Sequence, residues 1–305
     1  MLNSLFCFGY GYTCDYLGHS LSQQDWNIAG TTRDASKRNT LTKRGIKSYL
    51  FDYEMPLYDP LMILDQVTHL LISTPPDSEG DPAFLMHAPD LRYLPNLKWV
   101  GYLSTTGVYG NRNGEWVDEN SERIPSSKRG SRRVHAEDQW IEMMREYGLP
   151  LHIFRLSGIY GPGRSALDSV RAGTARRILK SGHAFSRIHV EDIVQVLTKS
   201  MMSPAPGQIY NLADDLPASS CEIITYACEL LKRTPPPIIP YEQADLAPIT
   251  RSFYEDNKRI SNEKIKNDLG INLIYPTYKE GLKACLDAEY HAINDTFSKK
   301  HFAIL

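Results

Sequence analysis

Two glycines one residue apart, Gly9 and Gly11, stand between the apolar run Leu5-Phe6-Cys7-Phe8 and a segment carrying Tyr16, Leu17 and Leu21 at helical spacing. A strand that breaks on such a pair lets the backbone turn sharply, and the free N–H groups at the start of the next helix can then solvate a pyrophosphate. The stretch Gly9-Tyr10-Gly11-Tyr12-Thr13 is therefore a candidate dinucleotide cradle, with Cys14 where a third glycine usually stands. Further on, Ile28-Ala29-Gly30-Thr31-Thr32-Arg33 reads as a second strand. An acid at its end would accept hydrogen bonds from a ribose 2′-OH, whereas the guanidinium of Arg33, beside Thr32, would pair with a 2′-phosphate. NADP is thus expected, with NAD the alternative if Arg33 is only a solvated residue after a strand.

The elements that must hold these residues follow from the apolar pattern. Runs at 46–51, 68–73, 99–103 and 151–154 are separated by segments long enough for crossovers. Repeated units of this kind predict an α/β fold, a doubly wound parallel sheet of Rossmann type with helices on both faces. Right-handed crossovers place the loops after the strands along one edge, where ligands bind. Those loops are residues 9–13, 32–34, 52–53, 73–76, 104–110 and 157–163. Prolines thicken after residue 203, which predicts a smaller, less regular α/β domain on that edge.

Bulk properties narrow the class. The 305 residues suffice for one large or two unequal domains. Charges nearly cancel, 34 basic against 36 acidic, so nothing global points to nucleic acid or an anionic membrane. No apolar stretch is long enough to span a bilayer, and Met1 leads straight into the first strand without a signal-like segment. Five scattered cysteines, an odd number, argue for reduced thiols and a cytoplasmic location. The nine histidines form no HxxxH or Cys/His cluster, so no metal site is expected.

Four ordered blocks then carry a resemblance: Ser104-Thr105-Thr106-Gly107-Val108-Tyr109-Gly110, Arg155-Leu156-Ser157-Gly158-Ile159-Tyr160-Gly161-Pro162-Gly163, Arg187-Ile188-His189-Val190-Glu191-Asp192-Ile193, and Ile209-Tyr210-Asn211-Leu212-Ala213-Asp214-Asp215. Together they resemble the extended short-chain dehydrogenase/reductase family of nucleotide-sugar epimerases and dehydratases, over roughly residues 3 to 285. The resemblance implies bound NAD(P) on a domain of residues 1–160 and 184–212. It also implies a partly discontinuous substrate-side domain of residues 161–183 and 213–290, followed by a tail at 291–305. It implies a small-molecule substrate, a nucleotide-linked sugar in the typical members, and a homodimer through the helices flanking the sheet as the common assembly.

The family's chemistry rests on a Ser/Thr and a YxxxK pair, in which tyrosine is the acid or base and lysine lowers its pKa and holds the nicotinamide ribose. Thr105 matches the first. Aligning Gly130, Ala136 and Glu137 places Arg129 where the tyrosine belongs and Arg133 where the lysine belongs, and no tyrosine lies between Tyr109 and Tyr147 to rescue the register. A guanidinium stays protonated and has no acceptor lone pair, so Arg129 cannot take a hydroxyl proton. General acid–base help, worth about 10²–10⁴-fold in rate, must come from elsewhere. Arg133 can still donate to a ribose and Arg129 can bind a phosphate or carboxylate, unless the basic run is only a solvated helix start. Tyr109, Asp118, Glu119 and His189 are the remaining acid–base candidates.

A further departure is Gly158, where epimerases commonly carry an asparagine that touches substrate; a glycine there leaves more room or a backbone contact. Arg164 and Arg187 are the first candidates for a substrate diphosphate. For the cofactor, the resemblance assigns residues 9–13 to the pyrophosphate, Thr32 and Arg33 to the 2′-phosphate ribose, and Asp52 and Tyr53 to the adenine. Ser73, Thr74 and Pro75, with Ser104 and Arg133, fall to the nicotinamide side. Three functions remain open at this level: an oxidoreductase or epimerase with a non-standard proton donor, an inactive NAD(P)-binding sensor or regulator, and a scaffold with a vestigial pocket.

Overall fold

A computed structural model describes residues 2–289. The expected C-terminal tail at 291–305 lies outside the described residues. The first half of the chain alternates strand and helix: β1 (Ser4–Phe8), α1 (Tyr12–Ser22), β2 (Asn27–Thr32), α2 (Ala35–Lys43), β3 (Lys47–Leu50), α3 (Pro60–Leu64), β4 (His69–Ile72), α4 (Pro82–Leu91) and β5 (Trp99–Thr105). There follow β6 (Trp116–Val117), the long α5 (Lys128–Tyr147), β7 (Leu151–Leu156), β8 (Gly158–Tyr160), α6 (Ala166–Arg171), β9 (Arg177–Leu179), β10 (Arg187–His189) and α7 (Val190–Met202). The chain continues through β11 (Ile209–Leu212), α8 (Ser220–Leu230), β12 (Ile238–Pro240), α9 (Pro248–Glu255), β13 (Arg259–Ile260) and α10 (Glu263–Leu269).

Seven strands form one parallel sheet in the order β11-β7-β5-β4-β1-β2-β3. Alternation along β1 shows why helices cover both faces. Leu5 and Cys7 join the core beneath α1 and α7, while Phe6 and Phe8 join the core under α4 and α5, and all four are fully buried. Trp140 of α5 fills the second core, and burying one such side chain is worth about 2–3 kcal/mol. Helix starts are written locally. Asp34, Asp81 and Ser127 cap α2, α4 and α5, and Ser165 and Ser219 form capping boxes with Asp168 and Glu222.

From β1 the chain steps to β2 and β3 on one side, then crosses back so that β4 lies on the other side of β1. This reversal opens a crevice at the carboxyl ends of β1 and β4, the place where open α/β sheets bind ligands. A separate apolar core, with Tyr160, Leu167, Val170, Ile223, Ile224 and Leu282, lies beyond that edge. Three short parallel pairs, β8 with β10, β9 with β12 and β6 with β13, form separate two-stranded sheets outside the main one. Among the described residues no helix is long and apolar enough to cross a membrane, and all five cysteines are free and buried.

Candidate functional site

The glycine turn is built to stay open on one side. Gly9 has φ +83°, and a Cβ there would meet the Thr74 backbone nitrogen at 3.0 Å, so the position excludes a side chain twice over. Its N–H donates to Thr31 Oγ1 at 2.8 Å, which fixes the turn to β2. Gly11 is the N-cap of α1 and offers no side-chain cap, so the first-turn N–H groups stay free. A Cβ on Gly11 would find nothing nearer than the Gly9 carbonyl at 3.9 Å. Beside this hollow the Thr74 Oγ1 is buried without a partner. Free N–H groups, space above Gly11 and an orphaned hydroxyl fit a bound dinucleotide pyrophosphate. Tyr12 and Thr13 begin the helix there, but Tyr10 requires a correction. Its N–H donates to the Thr31 carbonyl at 2.7 Å and its buried ring is wedged beneath the turn against Gly18 and Gly30, so it supports the cradle instead of lining it.

At the far end, Thr32 Oγ1 accepts the Asp34 N–H at 3.2 Å, leaving Arg33 exposed with no hydrogen-bond or ion-pair partner among the described residues. Asp52 Oδ1 accepts the N–H groups of Glu54 and Met55, both at 2.9 Å, and so closes a turn. The Tyr53 hydroxyl reaches Asp77 and the Gly80 carbonyl, each at 2.9 Å, and pins the loop after β3 to the loop after β4. Ser73 continues β4, its N–H donating to the Phe8 carbonyl at 2.9 Å, and Pro75 is exposed.

Toward the reaction end, Thr105 caps the 3₁₀ turn Thr106–Tyr109 by accepting the Gly107 N–H at 3.1 Å. Ser104 faces the other way, donating to the buried Glu137 at 2.5 Å, so its hydroxyl is withdrawn from the cofactor side. Glu137 receives both Arg155 Nε at 3.1 Å and Nη2 at 2.8 Å, and Arg155 Nη1 donates to the Tyr109 hydroxyl at 2.9 Å. That hydroxyl in turn donates to Asn211 Oδ1 at 2.7 Å. Tyr109 is fully buried and burial pushes its phenol up to about 12, so it is removed as an acid–base candidate. It belongs to a polar brace beneath the site. Glu119 also serves that brace, accepting the Asn211 N–H at 2.7 Å. His189 is buried, accepts the Glu191 N–H at 3.3 Å, and burial lowers it to about 4, so it stays a neutral structural ring.

Arg133 turns back to the end of β5, its Nη1 donating to the Leu103 carbonyl at 2.6 Å and the Tyr102 hydroxyl at 3.2 Å. Its remaining donors have no partner among the described residues. Arg129, one turn earlier, is exposed and lies 5.7 Å over the Phe253 ring of α9. The first turn of α5 carries no acid, so its cations reinforce the positive end of the helix dipole.

The substrate side is more closed than the glycine at 158 suggests. A Cβ on Gly158 would collide with the Phe185 ring, and its N–H donates to the Ser186 carbonyl at 3.1 Å. The space expected there is filled by the protein itself. Arg187 is likewise turned inward, Nη1 donating to the carbonyls of Phe185 at 2.7 Å and Ala218 at 2.8 Å. Arg164 is exposed and stands 5.5 Å from the Tyr12 ring.

Near Arg187, Asp214 is buried with Oδ2 unpartnered, and burial pushes its carboxyl up to about 8 despite the guanidinium. A carboxyl raised above its unfolded value of about 3.9 favours folding while protonated, and that advantage is lost as pH rises through 8. Between pH 7 and 8 the wild type should therefore lose about 1 kcal/mol of stability that Asp214→Asn keeps. Urea unfolding at the two pH values reads this, and equal slopes for both proteins would sink it.

The profile of the NAD dependent epimerase/dehydratase family matches residues 9–213. The chain belongs to that family. Among similar chains, a functionally unknown conserved protein from Silicibacter pomeroyi DSS has a TM-score of 0.86 at 45% identity, covering 94% of this chain and 99% of that one. Protein YeeZ of Escherichia coli (strain K12) is 28% identical over 282 residues, 88% of this chain and 94% of its own. The dTDP-glucose 4,6-dehydratase of Bacillus anthracis str. Ames, solved in complex with NAD, has a TM-score of 0.76 at 17% identity, covering 94% of this chain and 96% of that one, a likeness of fold.

Sequence reasoning missed two participants in this family member's site, Thr31 and Phe185; neither has a motif of its own, and only the contact with Gly158 shows what Phe185 does. Thr74, expected on the nicotinamide side, lies instead against Gly9 of the glycine turn. Glu137 and Arg155 were legible as motif positions but not as a pair.

Proposed function

We propose that the protein binds a nicotinamide dinucleotide, NADP(H) in preference to NAD(H), and acts as an oxidoreductase on a small anionic substrate without a tyrosine acid or base. The observation that carries this is the charge at the reaction end: guanidinium groups at 129 and 133, with Tyr109 sealed in the core. When bound, the dinucleotide supplies a hydride donor or acceptor. A guanidinium can donate to a carbonyl oxygen and hold the negative charge that develops on it, but cannot accept a hydroxyl proton. Oxyanion stabilisation serves hydride transfer in either direction, but Arg129 offers no base for the hydroxyl deprotonation that opens an epimerase cycle. The alkoxide left by carbonyl reduction, in contrast, takes its proton from water, so the reading is carbonyl reduction without epimerisation. Lys128, Arg129 and the dipole of α5 favour an anionic substrate group nearby.

Titration of NADPH and NADH into wild type and Arg33→Ala tests the cofactor. NADPH affinity should fall about 10- to 100-fold in the variant, the worth of charge-assisted hydrogen bonds, with NADH unchanged. Equal loss for both, or none, would reject the 2′-phosphate role. Wild type should also fail to interconvert UDP-sugar epimers; observed interconversion would overturn the reductive reading.

The inactive sensor is kept as a second reading because Phe185 and Arg187 fill the substrate side. Tight binding, no turnover of any carbonyl compound, and different proteolytic protection by NADP⁺ and NADPH would favour it.

A further inference from the structure

We propose that Arg164 is a clamp for the pyrophosphate of the dinucleotide, reaching from the substrate-side segment over the N-terminus of α1, and not a substrate ligand; this rests on the dinucleotide reading above. The loop that carries it is held against the glycine turn by contacts of its own. Tyr12, the first residue of α1, donates its hydroxyl to the Pro162 carbonyl at 3.0 Å. Gly161 and Arg164 close a tight turn, with Arg164 N–H to the Gly161 carbonyl at 3.0 Å. A Cβ on Gly161 would meet the Tyr12 hydroxyl at 2.5 Å and Val190 Cγ1 at 2.7 Å, so glycine is what permits this close approach. The Arg164 guanidinium then lies 5.5 Å over the Tyr12 ring.

Stacking on an aromatic face orients a guanidinium while leaving its edge donors available. Arg164 uses none of them: its guanidinium has no hydrogen-bond or ion-pair partner among the described residues, in contrast to that of Arg187, which donates to two carbonyls. The side chain it stacks on opens the very helix turn whose N–H groups are uncapped. A free, oriented cation beside uncapped N–H groups complements a diphosphate, and the bidentate fork suits phosphate oxygens. Because Ser165, the next residue, caps α6, the clamp would tie the substrate-side core to the occupied turn.

The test uses the full chain and three ligands: NADPH, NADH and adenosine 2′-phosphate, which lacks the pyrophosphate. Arg164→Ala should weaken NADPH and NADH by the same factor, about 10- to 100-fold, and leave adenosine 2′-phosphate within about 2-fold. Arg164→Lys should recover only part of the loss, since lysine keeps the charge but not the stacked fork. Tyr12→Phe, which frees the Pro162 carbonyl, should weaken the two dinucleotides in the same direction by less. Unchanged NADPH and NADH affinities in Arg164→Ala would overturn the clamp and return Arg164 to the substrate. Equal weakening of all three ligands would also overturn it, by placing Arg164 at the adenosine end. If wild type binds neither dinucleotide, the dinucleotide reading itself fails, and the clamp with it.

Discussion

Arg155→Met should lower the unfolding free energy by about 3 kcal/mol, the low end of the cost of leaving a buried charge without its partner. Glu137 is wholly buried, and its bidentate partner Arg155 is only 2% exposed. Methionine would keep the volume but leave Glu137 with the Ser104 hydroxyl and a single Arg123 contact at 3.2 Å, and leave the Tyr109 hydroxyl one donor short. That residual Arg123 contact is why the low end is expected. The double variant Arg155→Met/Glu137→Gln should recover part of the loss, because no buried carboxylate remains and Arg123 keeps its pair with Asp138. Equilibrium urea unfolding measures both. A loss below about 1 kcal/mol, the value of an exposed ion pair, would mean that water reaches the brace.

Gly11→Val is expected to do the reverse, abolishing ligand binding while sparing the fold. The backbone of Gly11 is extended, with φ −96° and ψ −160°, which a β-branched residue adopts without strain. A Cβ there meets no protein atom closer than 3.9 Å, so the fold should survive, with the melting temperature lowered by only about 2–4 °C because valine caps a helix less well than glycine. The same side chain would occupy the hollow above the turn and shield the free N–H groups of α1. Dinucleotide affinity should drop at least 100-fold, about 3 kcal/mol. Calorimetric titration and a melting curve together decide it. A variant that melts earlier than this would show that the turn has structural partners unaccounted for, and one that still binds tightly would place the pyrophosphate elsewhere.

The parts of this site that could be read in the sequence are local in the chain. Gly9, Gly11 and Arg33 sit at the ends of β1 and β2, where a short apolar run predicts the strand and the next residues must turn. The parallel sheet followed from the same runs. What stayed illegible depends on partners far along the chain. Ser104 stands at the carboxyl end of β5, as a ligand residue would, yet its direction is set by Glu137, 33 positions later, and Tyr109 is sealed by Asn211, 102 positions later. Tyr10 lies inside the glycine motif, but the small residues Gly18 and Gly30 open the space that draws its ring inward. In each case the motif supplied the residue, and tertiary packing chose which way it points.

The contact between Gly158 and Phe185 constrains how this protein can change. Restoring the asparagine of typical epimerases at 158 would drive its Cβ into the Phe185 ring, and truncating Phe185 alone would leave a void beside a position with no side chain to fill it. The Phe185 carbonyl also receives Arg187, so the neighbouring cation is held to the same segment. The two positions are coupled through one contact: either single replacement leaves a clash or a void, so a library meant to place an asparagine side chain at 158 has to vary 158 and 185 together.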